Sequence, residues 1–228
     1  MRLVFVRHGH PNYEKDCLTE LGQRHAQAAA LRLKDEGIER IFASTCGRAY
    51  ETAQALAEKV KLPVEKCEFM REIGWGPVGD VELEDDGHPW TTAEKMILRG
   101  ENLMHQDWME REPYACNQVV DYVKRIAVGI DAWLEELGFR REGLYYRQVK
   151  ECPKVVAMFS HGGSGSAVWS HLLNLPFPFV CTNMRQDYTA ITVLTLKEGE
   201  KGLVSPEIEL FNDAAHIRGM KVEVVFDR

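Results

Sequence analysis

Two histidines of the sequence occur in the same local setting, and imidazoles can act as nucleophiles, acids, bases or ligands. His8 follows an apolar run and precedes a glycine in LVFVRHG, and His161 repeats this arrangement in VVAMFSHGG. Arg7 comes directly before the first histidine, and Arg48 follows a third short apolar segment. If the four side chains meet, they form a cationic pocket, in which arginine grips phosphate oxygens in pairs. These residue types therefore indicate a phosphate site.

His8 is the candidate nucleophile of this pocket. A neutral imidazole can attack phosphorus and carry the phosphoryl group as a covalent intermediate, which divides one displacement into two. Gly9 has no Cβ, so the backbone after His8 can turn sharply and approach a ligand closely. We expect His161 to hydrogen-bond the equatorial phosphate oxygens beside Arg7 and Arg48, opposing the charge of the transition state.

Glu72 is the best-placed carboxyl group to protonate the leaving oxygen. It follows a predicted third strand and precedes a loop that is rich in glycine and tryptophan. An alkoxide or phenoxide needs a proton as it leaves, and a positioned carboxylic acid can supply it. Asp80, Glu82 and Glu84 follow in the same loop and remain alternatives.

The elements that must position these residues alternate between strand and helix, which predicts an α/β fold with a parallel sheet and right-handed crossovers. Continuously apolar runs are typical of strands buried on both faces. Ligands bind at the carboxyl ends of such strands, so we expect the two histidines and Arg48 to converge at one edge. The predicted strands cover 3–6, 40–44, 64–70, 155–159, 190–196 and 207–211; the predicted helices cover 19–37, 48–60, 92–99, 119–137 and 164–174, with Pro176 and Pro178 in a loop.

We expect a single domain, residues 1–228, because no linker, repeat or low-complexity segment divides the chain. The stretch 75–115 interrupts the alternation with acidic runs and several Trp and Tyr residues. This stretch is predicted to be an insertion over one end of the sheet.

Composition limits the classes of function. A formal net charge of -7 argues against general affinity for nucleic acid or anionic membranes. No apolar segment approaches the ~20 residues that span a bilayer, and no signal-peptide pattern begins the chain, so we expect a cytoplasmic protein. The 6 cysteines are widely scattered without a C-x-x-C pair, which favours free thiols over a zinc site or disulfides.

Several blocks of the sequence resemble the histidine phosphatase superfamily, the phosphoglycerate mutase-like proteins. These blocks are RHG at 7–9, LTELG at 18–22, AS with GRA and ETA between 43 and 53, SHG at 160–162, YTAIT at 188–192, and ND with a histidine between 212 and 216. The resemblance implies a three-layer α/β sandwich around a mostly parallel sheet, with 75–115 as a variable cap that selects the substrate. It also implies phosphoryl transfer without metal or cofactor, on a small-molecule phosphate ester or a phosphorylated substrate.

By position, the resemblance assigns phosphorylation to His8, phosphate binding to Arg7, Arg48 and His161, and proton donation to Glu72. Residues 161–167 read HGGSGSA, which is similar to phosphatase members and differs from the HGNS-type stretch of glycolytic mutases. Hydrolysis is therefore favoured over mutase activity. Asn12 and Gly162 are candidate substrate contacts.

Two other functions are carried as alternatives. His10 stands two residues from His8, so a divalent-metal hydrolase using His8, His10 and His161 is one of them. Against it, Arg7 would repel a dication, and no aspartate is predicted at another strand end to complete the ligand set. The other alternative is a non-catalytic family member that binds a phosphorylated ligand or a protein. The sequence gives no indication of the oligomeric state.

Overall fold

The computed structural model describes residues 1–197, 199 and 202–220. Residues 198, 200, 201 and 221–228, which the predicted domain includes, lie outside the described residues. In chain order the strands are β1 (Arg2–Arg7), β2 (Pro11–Asn12), β3 (Cys17–Leu18), β4 (Arg40–Ser44), β5 (Val64–Cys67), β6 (Phe139–Glu142), β7 (Tyr145–Gln148), β8 (Val155–Ser160), β9 (Ile191–Leu196), β10 (Leu203–Val204) and β11 (Pro206–Asp213). The helices are α1 (Glu20–Leu33), α2 (Gly47–Val60), α3 (Pro89–Leu98), α4 (Val119–Leu137), α5 (Gly162–Leu172) and α6 (Phe177–Asn183).

The central sheet contains six strands of the described chain, in the order β11-β9-β1-β8-β4-β5. β1, β8, β4 and β5 pair in parallel, whereas β9 runs antiparallel to β1 and β11 antiparallel to β9. Arg7 pairs with Ser160 and Ala43 pairs with Phe159, so β1, β8 and β4 end at the same edge. The predicted mostly parallel sheet is confirmed, and this edge is where the two histidines emerge.

Helices cover both faces of the sheet, which explains the unbroken apolar runs. Leu3 and Phe5 of β1 belong to a core cluster that includes residues of α4 and α5. Val4 and Val6 point to the opposite face and join a cluster with residues of α1 and α2. Because successive side chains of a strand alternate between faces, a strand covered twice must be apolar at every position. The predicted three-layer sandwich is confirmed.

Three helices begin near the edge where β1, β4 and β8 end. Thr19 caps α1 by accepting the Gly22 N–H at 3.1 Å. α2 begins at Gly47, a short turn after β4, and α5 begins directly after β8 and His161. Helix N-termini carry partial positive charge and free N–H groups, so together they favour an anion at this edge.

Residues 75–115 lie between β5 and α4 and contain α3 with 3-10 turns at Glu84–Gly87 and Trp108–Glu110. Trp108 and Tyr114 are buried, with ring centroids 5.4 Å apart. Trp108 also lies against Phe177 of α6, with centroids 5.5 Å apart. This segment therefore adds to the hydrophobic core on one face of the sheet.

The structure corrects two predictions of local structure and adds one hairpin that was not predicted. The strand predicted over 64–70 ends at Cys67, because Cys67 pairs with Ser44, the last residue of the neighbouring β4; a 3-10 turn, Glu68–Met70, follows. The loop predicted around Pro176 and Pro178 contains α6 instead, since a proline fits the first helical turn, where its missing N–H is not needed. The β6–β7 hairpin was not predicted, because the charged residues of its FRREGLYYRQ sequence obscure the alternation of apolar and polar residues that is typical of a strand.

No helix of the described residues is long and apolar enough to cross a membrane.

Candidate active site

The structure brings His8, His161 and Arg48 together at the carboxyl edge of the sheet. The two imidazole rings lie edge to face with centroids 5.2 Å apart. Arg48 Nε lies 3.4 Å from His8 Nε2. All three residues are buried, so their interactions take place in a medium of lower dielectric constant than water.

One ring nitrogen of His8 is unprotonated and carries a lone pair. Its Nδ1 lies 2.7 Å from the Gly9 carbonyl oxygen, which can only accept, so Nδ1 carries the proton and Nε2 faces Arg48. Burial and, next, the charge of Arg7 hold the pKa of His8 well below its ordinary value of 6.5. At neutral pH the imidazole is uncharged, and Nε2 has the lone pair that a nucleophile requires.

His161 is held at the start of α5 from the strand side. Its Nε2 lies 2.8 Å from the Ser44 hydroxyl of β4, and its backbone N–H donates to Ser164 Oγ at 3.2 Å. Its buried Nδ1 has no hydrogen-bond partner within the described structure. Burial, followed by the neighbouring His8 and Arg48, lowers the pKa of His161 well below 6.5.

Arg7 is anchored by the loop between α6 and β9. Its Nη1 donates to the Gln186 carbonyl at 2.6 Å, and its guanidinium carbon lies 4.4 Å from the ring centroid of Tyr188. Its buried Nε has no partner among the described residues. A buried donor without a partner is costly, and a bound phosphate oxygen would satisfy it.

Arg48 is anchored by Asp16, a residue that sequence reasoning missed. Arg48 Nη1 donates to Asp16 Oδ1 at 2.5 Å, while Asp16 Oδ2 accepts the Gly47 N–H at 2.8 Å. The Asp16 carboxylate therefore bridges the N-terminus of α2 and the Arg48 guanidinium. The Leu-Thr block that follows it was the only nearby signal, and it gave no indication of this contact.

Glu72 lies against the first turn of α5. Its Oε1 accepts the Ser164 N–H at 2.8 Å and the Ile73 N–H at 3.0 Å, and its Oε2 accepts the Gly163 N–H at 3.3 Å. His161 directly precedes this helix, so the carboxylate is fixed relative to the second histidine.

The alternative carboxyl groups lie at the protein surface. Asp80, Glu82 and Glu84 are exposed. Glu84 pairs with Lys95 at 2.5 Å, which ties it to α3 within the 75–115 segment. Of the four carboxyl groups, Glu72 is the one whose hydrogen bonds lead to the helix behind His161.

Three glycines of α5 lie against side chains of this pocket. A Cβ on Gly163 would lie 2.6 Å from Glu72 Oε1 and 2.4 Å from Ile73 Cγ1, closer than atoms can approach. The glycine-rich HGGSGSA stretch thus lets Glu72 reach the helix backbone. The matching pairs are Gly162 with Arg7, Gly163 with Glu72, and Gly165 with Gln186.

Replacing Gly163 by alanine is expected to destabilise the fold by about 1–3 kcal/mol, because the methyl group pushes Glu72 and Ile73 away from the first turn of α5. Gly162→Ala is the matched comparison, since its Cβ would make an ordinary 3.5 Å contact with Arg7. Urea unfolding of both variants measures the difference. Equal effects of the two substitutions would contradict the steric explanation.

Asn12 and His10 both form hydrogen bonds within the segment 10–19. Asn12 lies in β2, and its Oδ1 accepts the Lys15 N–H at 3.1 Å within its own turn. His10 Nδ1 lies 2.9 Å from Thr19 Oγ1, and its ring meets the Tyr188 ring with centroids 5.4 Å apart. Across the described residues, no group of three or more His, Cys, Asp or Glu side chains has the arrangement of a metal site.

Tyr188 is a second residue that sequence reasoning missed as part of the site. Its ring lies under the Arg7 guanidinium and 5.8 Å from the His8 ring, centroid to centroid. The rings of His10 and His25 flank it at 5.4 and 6.5 Å. The aromatic ring therefore supports Arg7 by a cation–π contact, while His10 supports the ring.

His25 is fully buried behind Tyr188, and neither of its ring nitrogens has a partner among the described residues. Burial, followed by the neighbouring His10 and His216, lowers the pKa of His25 to about 4 from 6.5. Below pH 6.5 the unfolded chain therefore takes up a proton that the folded chain does not, so stability is lost as the pH falls from 6.5 towards 4.

We expect His25→Leu to weaken this acid sensitivity. His25 alone should account for about 2 kcal/mol of the stability lost between pH 7 and pH 5. Leucine cannot titrate and sacrifices no hydrogen bond that the structure shows. Free energies of unfolding in urea at the two pH values measure the effect. An equally steep loss in the variant would assign the acid sensitivity to other groups, such as His8 and His161.

Comparisons with known proteins identify the family of the chain. The family described as the histidine phosphatase superfamily (branch 1) matches residues 3–209. A 2,3-bisphosphoglycerate-dependent phosphoglycerate mutase of Thermoplasma acidophilum is 31% identical over 83 residues, which cover 32% of this chain and 42% of the mutase. The matched region thus spans less than half the length of this curated relative.

Two solved structures share the fold. A mycobacterial glucosyl-3-phosphoglycerate phosphatase superposes with a TM-score of 0.62 at 23% identity, covering 92% of this chain and 98% of its own. The phosphoserine phosphatase of Entamoeba histolytica, in complex with phosphoserine, gives a TM-score of 0.61 at 22% identity, covering 95% and 98%. With a family match over nearly its whole length, the chain belongs to the histidine phosphatase superfamily, branch 1.

Proposed function

We propose that the protein is a phosphatase that hydrolyses a phosphate monoester through a phosphohistidine on His8. One observation carries this proposal: His8 donates Nδ1–H to the Gly9 carbonyl, which leaves the Nε2 lone pair in a buried pocket beside Arg48. An uncharged imidazole among fixed guanidinium groups is suited to attack a dianionic phosphoryl group, because the cations offset the charge repulsion.

The reaction takes two displacements at phosphorus. In the first, His8 Nε2 forms a bond to phosphorus, the bond from phosphorus to the ester oxygen breaks, and Glu72 gives its proton to the leaving oxygen. In the second, Glu72 takes a proton from water, the water oxygen attacks phosphorus, and the bond to His8 breaks. Phosphate leaves and both side chains return to their starting states.

The remaining groups of the pocket hold the phosphoryl oxygens. Arg7 offers its unpartnered Nε, Arg48 the Nε that faces His8, and His161 the ring that lies edge to face with His8. Fixed donors of this kind stabilise the charge that the three equatorial oxygens share in the transition state. We further assign substrate contacts to the amide nitrogen of Asn12 and the backbone N–H of Gly162.

In this proposal the chain forms one domain, and the 75–115 segment is its cap. Glu94 of α3 pairs with Arg185, whose neighbour Gln186 accepts the Arg7 hydrogen bond. The segment thus connects to the wall of the pocket, where it would select the part of the substrate beyond the phosphate. The relatives are named for phosphoglycerate, phosphoserine and glucosyl-3-phosphoglycerate, which suggests a small phosphorylated metabolite. Hydrolysis is preferred to mutase transfer because of the HGGSGSA stretch.

A phosphate-release screen over a panel of phosphorylated metabolites, with and without EDTA, tests the proposal. We expect turnover that resists EDTA, together with a phosphoenzyme that is labile in acid and stable in base. Loss of activity on chelation, with stoichiometric metal in the purified protein, would support the metal hydrolase of His8, His10 and His161 instead. Phosphate binding through Arg7 and Arg48 without any turnover would indicate the non-catalytic alternative.

A further inference from the structure

Asp16 makes two contacts that the proposed mechanism does not use. It lies in the turn between β2 and β3 with a left-handed backbone, φ 48°. One carboxylate oxygen bonds Arg48 Nη1 at 2.5 Å and the other bonds the Gly47 N–H at 2.8 Å. Gly47 accommodates this turn, because a Cβ there would lie 2.1 Å from the Asp16 carbonyl oxygen. The turn and the start of α2 are thus fitted to each other.

The two ends of the Arg48 guanidinium face different partners. Nη1 points to Asp16, whereas Nε points to His8 Nε2 at 3.4 Å. Only 10% of the Arg48 side chain is exposed, so the group sits in the protein rather than in water. The Asp16 side chain is 44% exposed and reaches in from the surface. Asp16 therefore holds the guanidinium from behind and leaves its Nε side towards the nucleophile.

We propose that Asp16 is a positioning residue for phosphoryl transfer, which aims the Arg48 Nε donor at the oxygens of the group being transferred to His8. This inference rests on the proposed function. A guanidinium fixed in advance needs no reorganisation when charge develops on those oxygens, so it favours the transition state over the bound substrate. The effect of losing Asp16 therefore falls on kcat more than on KM.

Asp16→Asn is the decisive variant. Asparagine tolerates a left-handed backbone as aspartate does, and its carbonyl oxygen can still accept the Gly47 N–H. Its NH₂ group would then face Arg48, and two donors cannot bond each other. Asp16→Gly keeps the backbone and removes both contacts. Glu14→Gln is the matched control, because Glu14 is exposed in the same turn and loses the same charge.

We expect Asp16→Asn to lower kcat for an aryl phosphate about tenfold or more while KM changes less than about threefold. Orthovanadate, which imitates the five-coordinate transition state, should bind about tenfold more weakly, whereas inorganic phosphate should bind within about threefold. In an Arg48→Lys background the same substitution should change kcat less than about twofold, because the group it positions is gone. Glu14→Gln should match the wild type.

Two results would overturn the inference. If Asp16→Asn matches the wild type while only Asp16→Gly loses stability, Asp16 is simply a cap for α2. If Asp16→Asn tightens phosphate binding and raises kcat, the carboxylate competes with substrate for Arg48. The two binding measurements do not need turnover, so they separate the hypotheses. A wild type without activity refutes the proposed phosphatase. In that case, weaker vanadate binding by Asp16→Asn still supports the positioning role of Asp16, whereas unchanged vanadate binding refutes that role.

Discussion

Replacing His8 by alanine is expected to lower phosphate release from an aryl phosphate by about 1000-fold or more and to abolish the phosphoenzyme. The substitution removes the only atom proposed to bond with phosphorus, and groups that act as a unit in catalysis lose most of their effect together. Initial rates with p-nitrophenyl phosphate at pH 7 and acid-quench trapping of radiolabelled phosphoenzyme measure the two losses.

Phosphate binding provides the control for this variant. Arg7 and Arg48 keep their anchors on Gln186 and Asp16, neither of which involves the His8 ring. Inorganic phosphate should therefore still bind to His8→Ala with an affinity within about tenfold of the wild type. Full activity in the alanine variant, with normal folding, would sink the phosphohistidine mechanism.

Glu72→Gln is expected to produce a loss that depends on the leaving group. Alkyl phosphates should be hydrolysed about 100-fold more slowly or worse, since an alkoxide needs a proton as it leaves. p-Nitrophenyl phosphate should lose less than about tenfold, because nitrophenolate is stable without a proton. Glutamine keeps a carbonyl oxygen that can accept the Ser164 and Ile73 N–H groups, and its NH₂ group gives up only the longer bond from the Gly163 N–H at 3.3 Å.

Glu84→Gln is the matched control for the proton donor, because Glu84 is an exposed carboxyl group of the same loop region paired with Lys95. It should leave both substrates within about twofold. An equal loss with alkyl and aryl substrates in Glu72→Gln would show that Glu72 only orders the helix. No loss at all would move the proton donation to Asp80 or Glu82.

The framework of the site could be predicted from sequence because short-range patterns determine it. Apolar runs that end in histidine and glycine mark strands covered on both faces, and parallel strands share a carboxyl edge. The structure accordingly places the ring centroids of His8 and His161 5.2 Å apart, and Arg48 lies beside His8. The order of strands and helices was sufficient for this result, because crossover connections leave few other topologies.

The supporting contacts could not be predicted, since they depend on how distant turns meet. Asp16 reaches Arg48 only because a left-handed turn fits against Gly47. Tyr188 lies under Arg7 because the loop that carries it follows α6. The two prolines at the start of α6 led to the prediction of a loop there instead of a helix. His10, a candidate metal ligand by its spacing from His8, instead contacts Thr19 and the Tyr188 ring. Such contacts have no periodicity by which a sequence could reveal them.

The pairing of β1 with β8 also has a consequence for how the protein acquires its site. Arg7 lies in register with Ser160, so β1 pairs with a strand that is far from it in the sequence. Contacts between segments so distant in sequence form late and slow the folding of a domain. The two histidines come together only when that sheet closes, so under the proposed function a partly folded chain has no pocket for phosphate. Because phosphate would bind the native state alone, it should stabilise the finished fold by mass action, and its binding would report when folding is complete.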